Sequence, residues 1–166
     1  MSRLDSFIRR LEAQRACLDW AVDTVHGLPG PALELGLGNG RTFDHLRSRL
    51  GGTRPIFALD RRLAAHPDCV PDDAHLILGD FRETLPALVQ RLGPVAALVN
   101  ADTGSGDEAA SRAQGEWLAG PIDALLAPGG VVVSDQDMSR AAPGWIAQPL
   151  PTGVAPGRYF LFRKPA

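Results

Sequence analysis

The sequence predicts an α/β protein built on a doubly wound, mostly parallel sheet, and three observations predict it. Short apolar runs recur along the chain at 32–35, 55–59, 75–80, 95–99 and 131–133. Most of these runs close on a polar tip and lead into a stretch with apolar residues at helical spacing. The first run is followed at once by glycines at alternate positions, Gly36, Gly38 and Gly40. Repetition of strand, polar tip and helix argues for parallel strands with helices on both faces, and such sheets take ligands outside the carboxyl ends of their strands.

In chain order, residues 2–26 carry Leu4, Phe7, Ile8, Leu11, Leu18, Ala21, Val22 and Val25 at helical spacing, which predicts one amphipathic helix or two in succession. Gly27-Leu28-Pro29-Gly30-Pro31 ends it. Strand one is 32–35. A helix from about Arg41 to Leu50 buries Phe43, Leu46 and Leu50 and stops at Gly51-Gly52. Strand two ends on Asp60, and strand three runs into Asp80. Prolines 67 and 71 make the connection between them short and irregular, although Asp60 could also cap a helix over 61–65. A helix with Leu85, Leu88, Val89 and Leu92 follows. Strand four leads to Asn100-Ala101-Asp102, and a helical region over 107–126 is expected to break near Gly120-Pro121. Ala127-Pro128-Gly129-Gly130 should then turn the chain into strand five, which ends on Ser134-Asp135-Gln136. Two extended stretches, 145–148 and 158–162, have no helical pattern and should pair antiparallel at the sheet edge.

Composition narrows the class. The 166 residues suit one domain, read here as a helical extension over 1–30 and a core over 31–166. An apolar fraction of 45% and a charged fraction of 22% are those of an ordinary globular protein. No apolar run approaches a membrane span, and Met1-Ser2-Arg3-Leu4-Asp5 lacks the core of a signal peptide, so a cytoplasmic location is expected. A net charge of −2 offers no electrostatic reason to expect nucleic acid. Cys17 and Cys69 are far apart and suggest neither disulfide nor zinc.

The chemistry concentrates around Glu34 and the glycines. A dinucleotide-binding loop has the spacing G-x-G-x-x-G, whereas here the third glycine comes one residue early and Arg41 stands in its place. Glu34 lies inside the strand, two residues before the first glycine. A carboxylate there suits a cationic or hydroxyl-bearing group and repels a phosphate. Asp60, about twenty residues past the loop, suits a ribose diol. Arg41 at the third glycine position and Glu34 in the strand disfavour an NAD-type oxidoreductase, which remains the rival reading.

The motifs ALELGLGNG, IFALD, LILGDF and LLAPGGVVV, with a terminal hairpin ending RYFLFRK, resemble in order and spacing those of the class I, Rossmann-like S-adenosylmethionine-dependent methyltransferases, in a compact bacterial-type form. The resemblance covers the chain after residue 31. It implies a seven-stranded sheet whose last strand is antiparallel. It also implies that Glu34 and the backbone of Gly36, Leu37, Gly38, Asn39 and Gly40 hold the methionine part, that Asp60 holds the ribose, and that Asp80 and Phe81 hold the adenine edge. Thr42, Arg61 and Asn100 complete the cofactor set that the resemblance implies. The activity implied is in-line methyl transfer to oxygen or nitrogen of a small-molecule acceptor, with S-adenosyl-L-methionine as cofactor. A cofactor-binding protein without transferase activity is the alternative.

A narrower resemblance, to the metal-dependent catechol-type O-methyltransferases, lies in GDFRETLPAL, VNADTGSGD and VVVSDQ. Where that group places a metal-binding acid and a terminal Asn, this chain has Asn100 and Gln136, which are poorer or differently placed ligands for a hard dication, so no metal is expected. Asp102 and Asp135 remain as candidate catalytic acids at the acceptor. The four histidines lie outside any catalytic constellation, and Trp145 could wall a pocket. With no inserted substrate domain, the acceptor site should be built from the first helix, the 100–106 loop, the 134–145 loop or a second subunit. The doubly wound core should be complete without that helix, whose stripe Leu4, Phe7, Ile8 and Leu11 would then cover the site or join a symmetric homodimer.

Overall fold

The computed structural model describes residues 2–166. Helix α1 (Arg3–Thr24) is a single uninterrupted helix. Its start is held by a reciprocal cap, in which the Asp5 amide donates to Ser2 Oγ and the Ser2 amide to Asp5 Oδ2, each at 3.0 Å. After it come β1 (Ala32–Leu35), α2 (Arg41–Leu50), β2 (Ile56–Asp60), a 3-10 turn at Pro67–Cys69, β3 (Leu76–Leu78), α3 (Phe81–Leu92), β4 (Ala96–Ala101), α4 (Glu108–Leu125), β5 (Leu126–Ser134), β6 (Ile146–Ala147) and β7 (Phe160–Arg163).

The strands form one seven-stranded sheet in the order β3-β2-β1-β4-β5-β7-β6. Strands β1 to β5 are mutually parallel, while β7 runs antiparallel to both β5 and β6. This is the doubly wound sheet with an antiparallel last strand that the motifs implied. Alternate residues of each strand feed opposite faces. Ala32, Ala58, Leu98, Val131 and Val133 pack beneath α1 and α2, whereas Leu33, Leu59, Val99 and Val132 pack beneath α3 and α4.

The structure corrects several expectations. Ala13, Cys17, Leu18, Ala21 and Val22 of α1 are buried on the first face of the sheet. The sheet is therefore not complete without this helix: its second half is half of one covering layer. Only Leu4, Phe7 and Ile8 of the expected stripe stay exposed. The far end of α1 is tied down by Arg54, whose guanidinium donates to the carbonyls of Val25 at 3.0 Å, Leu28 at 2.6 Å and Gly30.

No helix forms over 61–65; the chain bends there and turns once at Pro67–Cys69, where the Asp68 amide donates to His66 Nδ1 at 3.3 Å. Helix α4 does not break at Gly120-Pro121. A proline inside a helix costs about 3 kcal/mol. Leu118, Ile122 and Leu125 are fully buried around that turn, and each contributes about 1.5–3 kcal/mol, so packing wins.

The expected turn at 127–130 lies inside β5. Pairing with β4 jumps from Ala96 opposite Leu126 to Leu98 opposite Val131, so the extra residues bulge from the ladder. Gly129, at φ +78°, carries that bulge and donates its amide to the Lys164 carbonyl at 3.0 Å. Trp145 is buried against Phe162, with its Nε1 donating to Asp123 Oδ1 at 2.8 Å. No helix among the described residues is long and apolar enough to cross a membrane.

Candidate functional site

The parallel strands bring their polar tips together at one edge. Register places Glu34 of β1 directly beside Asn100 of β4, on the face that α1 and α2 cover. Both side chains are buried. The Thr42 hydroxyl, from the first turn of α2, donates to Glu34 Oε1, and Asn100 Nδ2 donates to Glu34 Oε2 at 3.0 Å. Neither partner carries charge. Burial therefore pushes the Glu34 carboxyl up to about 8, with the nearby Asp102 charge adding to the rise and the two hydrogen bonds opposing it. The Asn100 Oδ1 is buried with no hydrogen-bond partner among the described residues. A buried carboxyl and an unpaired acceptor, side by side, call for a ligand bearing positive charge or several N–H donors.

Two glycines shape the loop above them. Gly36 stands at φ +90°, and a Cβ there would come 2.8 Å from the Asp102 carbonyl oxygen, so the tips of β1 and β4 could not close together. Gly40, at φ +84°, starts α2, and its Cβ would meet Cys69 at 2.5 Å. Between them the Gly38 amide donates to Asp60 Oδ2 at 2.8 Å, which ties the tip of β2 to the loop. Asn39 Oδ1 accepts from the Arg41 amide at 3.2 Å and serves the start of α2. The Leu37 side chain is buried in the core, although the residue also borders the pocket above the loop.

At the outer strand tips, Asp80 caps α3 by accepting from the Arg82 amide at 2.9 Å and pairs with Arg61 at 3.3 Å. Beside this pair lies a hollow of about 190 Å³ lined by Phe81, Arg82 and Trp117, with the Arg82 guanidinium 4.7 Å from the Trp117 ring centre. A planar apolar ring suits that wall.

Helix α1 roofs the glycine loop. Phe7, Arg10, Leu11 and Gln14 enclose, with Gly36 to Asn39, a pocket of about 190 Å³. Asp102 forms its far side and accepts from Arg10 at 3.2 Å, from the Tyr159 hydroxyl at 3.2 Å and from Gln14. Its carboxylate is thus occupied on all sides. None of Arg10, Gln14 and Tyr159 is among the site residues expected from the sequence. Arg10 and Gln14 lie four residues apart, so a shared helical face was available as a signal; the role of Tyr159, the only tyrosine, was not.

Arg10 and Tyr159 also border a second hollow of about 510 Å³, lined further by Gly104, Asp135, Gln136 and Arg158. Asp135 accepts from the Thr103 amide at 3.3 Å and the Gly104 amide at 2.9 Å. Burial, helped by the Asp102 charge, holds its carboxyl above the usual range against these bonds and one from Gln136. Gln136 is packed on Gly115 of α4, where a Cβ would stand 2.7 Å from it. The structure thus brings Glu34, Asn100 and the loop together, places Asp102 and Asp135 on the wall next to them, and sets Asp80 apart at the outer hollow. Among the described residues no three His, Cys, Asp or Glu side chains are grouped to hold a metal ion.

A family model described as S-adenosyl-L-methionine methyltransferase matches residues 1–164. The crystal structure of an S-adenosyl-L-methionine methyl transferase from Silicibacter pomeroyi DSS-3 is 46% identical, with 99% of each chain covered and a TM-score of 0.92. TrmN from Thermus thermophilus is 20% identical with a TM-score of 0.64, over 89% of this chain and 48% of that one. Cofactor-bound Rv0187 from MTB is 18% identical with a TM-score of 0.58, over 93% and 79% of the two chains. These last two share the fold. No curated protein matches the chain significantly.

Proposed function

The chain belongs to the S-adenosyl-L-methionine methyltransferase family, and from that premise we propose that it methylates an oxygen or nitrogen of a small-molecule acceptor bound in the hollow between Gly104 and Tyr159. The cofactor is S-adenosyl-L-methionine, which supplies an electrophilic sulfonium methyl group for in-line transfer. The observation that carries the acceptor reading is adjacency: Arg10 and Gly104 line both the glycine-loop pocket and a hollow of about 510 Å³, a size that suits a small molecule.

Within this reading each residue has a task. Glu34 and the unpaired Asn100 Oδ1 take the ammonium end of the cofactor, and the main chain from Gly36 to Gly40 lines its methionine part. Asp60 takes the ribose hydroxyls while keeping the Gly38 amide. Asp80 and Phe81, with the Arg82–Trp117 stack, wall the adenine. Transfer from a sulfonium removes charge, so alignment and exclusion of water carry most of the rate. Asp135 orients the acceptor or takes its proton, because it lines the acceptor hollow and its carboxyl is not consumed by charged donors. Asp102 fixes the wall rather than moving a proton. We read residues 1–166 as one catalytic domain in which α1 belongs to the core.

The test is conversion of S-adenosyl-L-methionine to its demethylated product with a metabolite library and, in parallel, with RNA and protein fractions. Turnover with a low-molecular-weight acceptor supports the reading. Turnover with a macromolecule alone replaces it, and cofactor binding without turnover in either arm favours a binding protein without transferase activity.

A further inference from the structure

We propose that the acceptor is a small organic anion, a carboxylate or phosphate monoester, and that Arg158 selects it by binding the anionic group. The proposal rests on the acceptor hollow assigned above. Arg158 lies at the end of the Pro/Gly-rich segment before β7, where Gly157 turns at φ +76°, and its side chain is half-buried on the hollow. None of the ion pairs among the described residues includes it.

The other charges around the hollow each have compensation. Arg10 pairs with Asp102 at 3.2 Å. Asp135 accepts from two main-chain amides, and Glu108 sits in the first turn of α4, where the helix end favours a negative charge. Of the two cations on the hollow, Arg158 is the one that makes no ion pair among the described residues. A guanidinium that has lost part of its hydration and presents a planar fork of donors gains most from a carboxylate or phosphate, which accepts two parallel bonds. Arg158 and Asp135 line one hollow, so an acceptor with an anionic end and a nucleophilic end can engage both.

The experiment is NMR titration of the isotopically labelled full chain saturated with S-adenosyl-L-methionine, using benzoate, phenyl phosphate and neutral benzamide as probes. At least one anion is expected to shift the Arg158 side-chain Nε–H signal and to bind at least tenfold more tightly than benzamide. Arg158→Gln should lose tenfold or more of that affinity, while Arg158→Lys keeps part of it and both retain cofactor affinity. Whichever anion binds more tightly assigns the carboxylate or the phosphate. Equal binding of benzamide, anion binding that survives Arg158→Gln, or no anion binding at millimolar concentration overturns the proposal. If Arg158→Gln does not fold, the Nε–H shift in the parent and the affinity of Arg158→Lys decide. A nuclear Overhauser contact between the bound anion and the cofactor methyl tests the acceptor hollow separately. Arg158-dependent binding without that contact removes the hollow as the acceptor site, and the proposal with it; contact without Arg158 dependence overturns the proposal alone.

Discussion

Asn100 donates to the Glu34 carboxyl at 3.0 Å across the β1–β4 register, and its own carbonyl oxygen has no partner among the described residues. The burial of this pair inside the sheet has a measurable consequence. Glu34 titrates near 8 in the folded protein and in the ordinary carboxylate range when unfolded. Between those values the unfolded chain has released a proton that the folded chain still holds. The contribution of Glu34 to the stability of the cofactor-free protein is therefore full below about pH 4.5 and is lost progressively as pH rises toward about 8. Denaturant titrations across that window should show the slope in the parent and lose it in Glu34→Gln.

If the proposed placement holds, the same residue should make cofactor binding release a proton. An ammonium group beside Glu34 favours the charged carboxylate, so binding below pH 8 should expel the proton and affinity should rise with pH up to about 8. Calorimetry in buffers of different ionisation enthalpy measures this directly. Equal heats in all buffers would place the cationic end elsewhere.

Asp60 carries a second, independent test. Its Oδ2 accepts from the Gly38 amide at 2.8 Å, so the carboxylate holds the loop, and in the proposed reading it also takes the ribose hydroxyls. Charge-assisted hydrogen bonds contribute roughly 1.5–3 kcal/mol each. Asp60→Ala should therefore weaken S-adenosyl-L-methionine at least tenfold in a direct binding measurement. An unchanged dissociation constant would remove Asp60 from the cofactor site.

The strands, the glycine turn and every acid at a strand tip were legible because each is a local pattern: apolar runs, glycine spacing and a polar residue where the run stops. What escaped was set by tertiary packing. Pro121 reads as a helix breaker until Leu118, Ile122 and Leu125 are seen to bury that turn. The bulge at 127–130 exists because β4 supplies too few residues to match β5. The wall of the site was invisible for a related reason. Arg10, Gln14 and Tyr159 converge on Asp102 from positions up to 92 residues away, and no spacing in the sequence encodes that meeting.

Helix α1 divides into two halves that should respond differently to mutation. Leu18 is 1% exposed beneath the sheet, whereas Leu4 is 66% exposed. Leu18→Ala removes buried methyl groups and leaves a cavity, which costs about 2–5 kcal/mol. Leu4→Ala should stay within about 0.5 kcal/mol of the parent. Deletion of residues 1–26 uncovers the sheet face beneath Ala13, Cys17, Leu18, Ala21 and Val22 and should abolish cooperative unfolding. A truncated protein that still unfolds in one sharp transition would show that the helix is dispensable.

The two acids at the acceptor wall should separate by kinetics once a substrate is in hand. Asp102 is held by Arg10, Gln14 and Tyr159, so Asp102→Asn should disturb the wall between the pockets and raise KM for the acceptor more than it lowers kcat. Asp135 lines the acceptor hollow with its carboxyl held above the usual range by burial and by the Asp102 charge, which brings it nearer to the pH at which a base works. If the acceptor must lose a proton, kcat should rise with pH through that elevated value, and Asp135→Asn should lower kcat by about a hundredfold or more. Among the described residues no third His, Cys, Asp or Glu joins this pair, and Asn100 and Gln136 are neutral, weaker ligands for a hard dication, so turnover should survive chelation by EDTA. Loss of turnover in EDTA and its return with Mg²⁺ would assign the Asp102–Asp135 pair to a metal instead of to proton transfer.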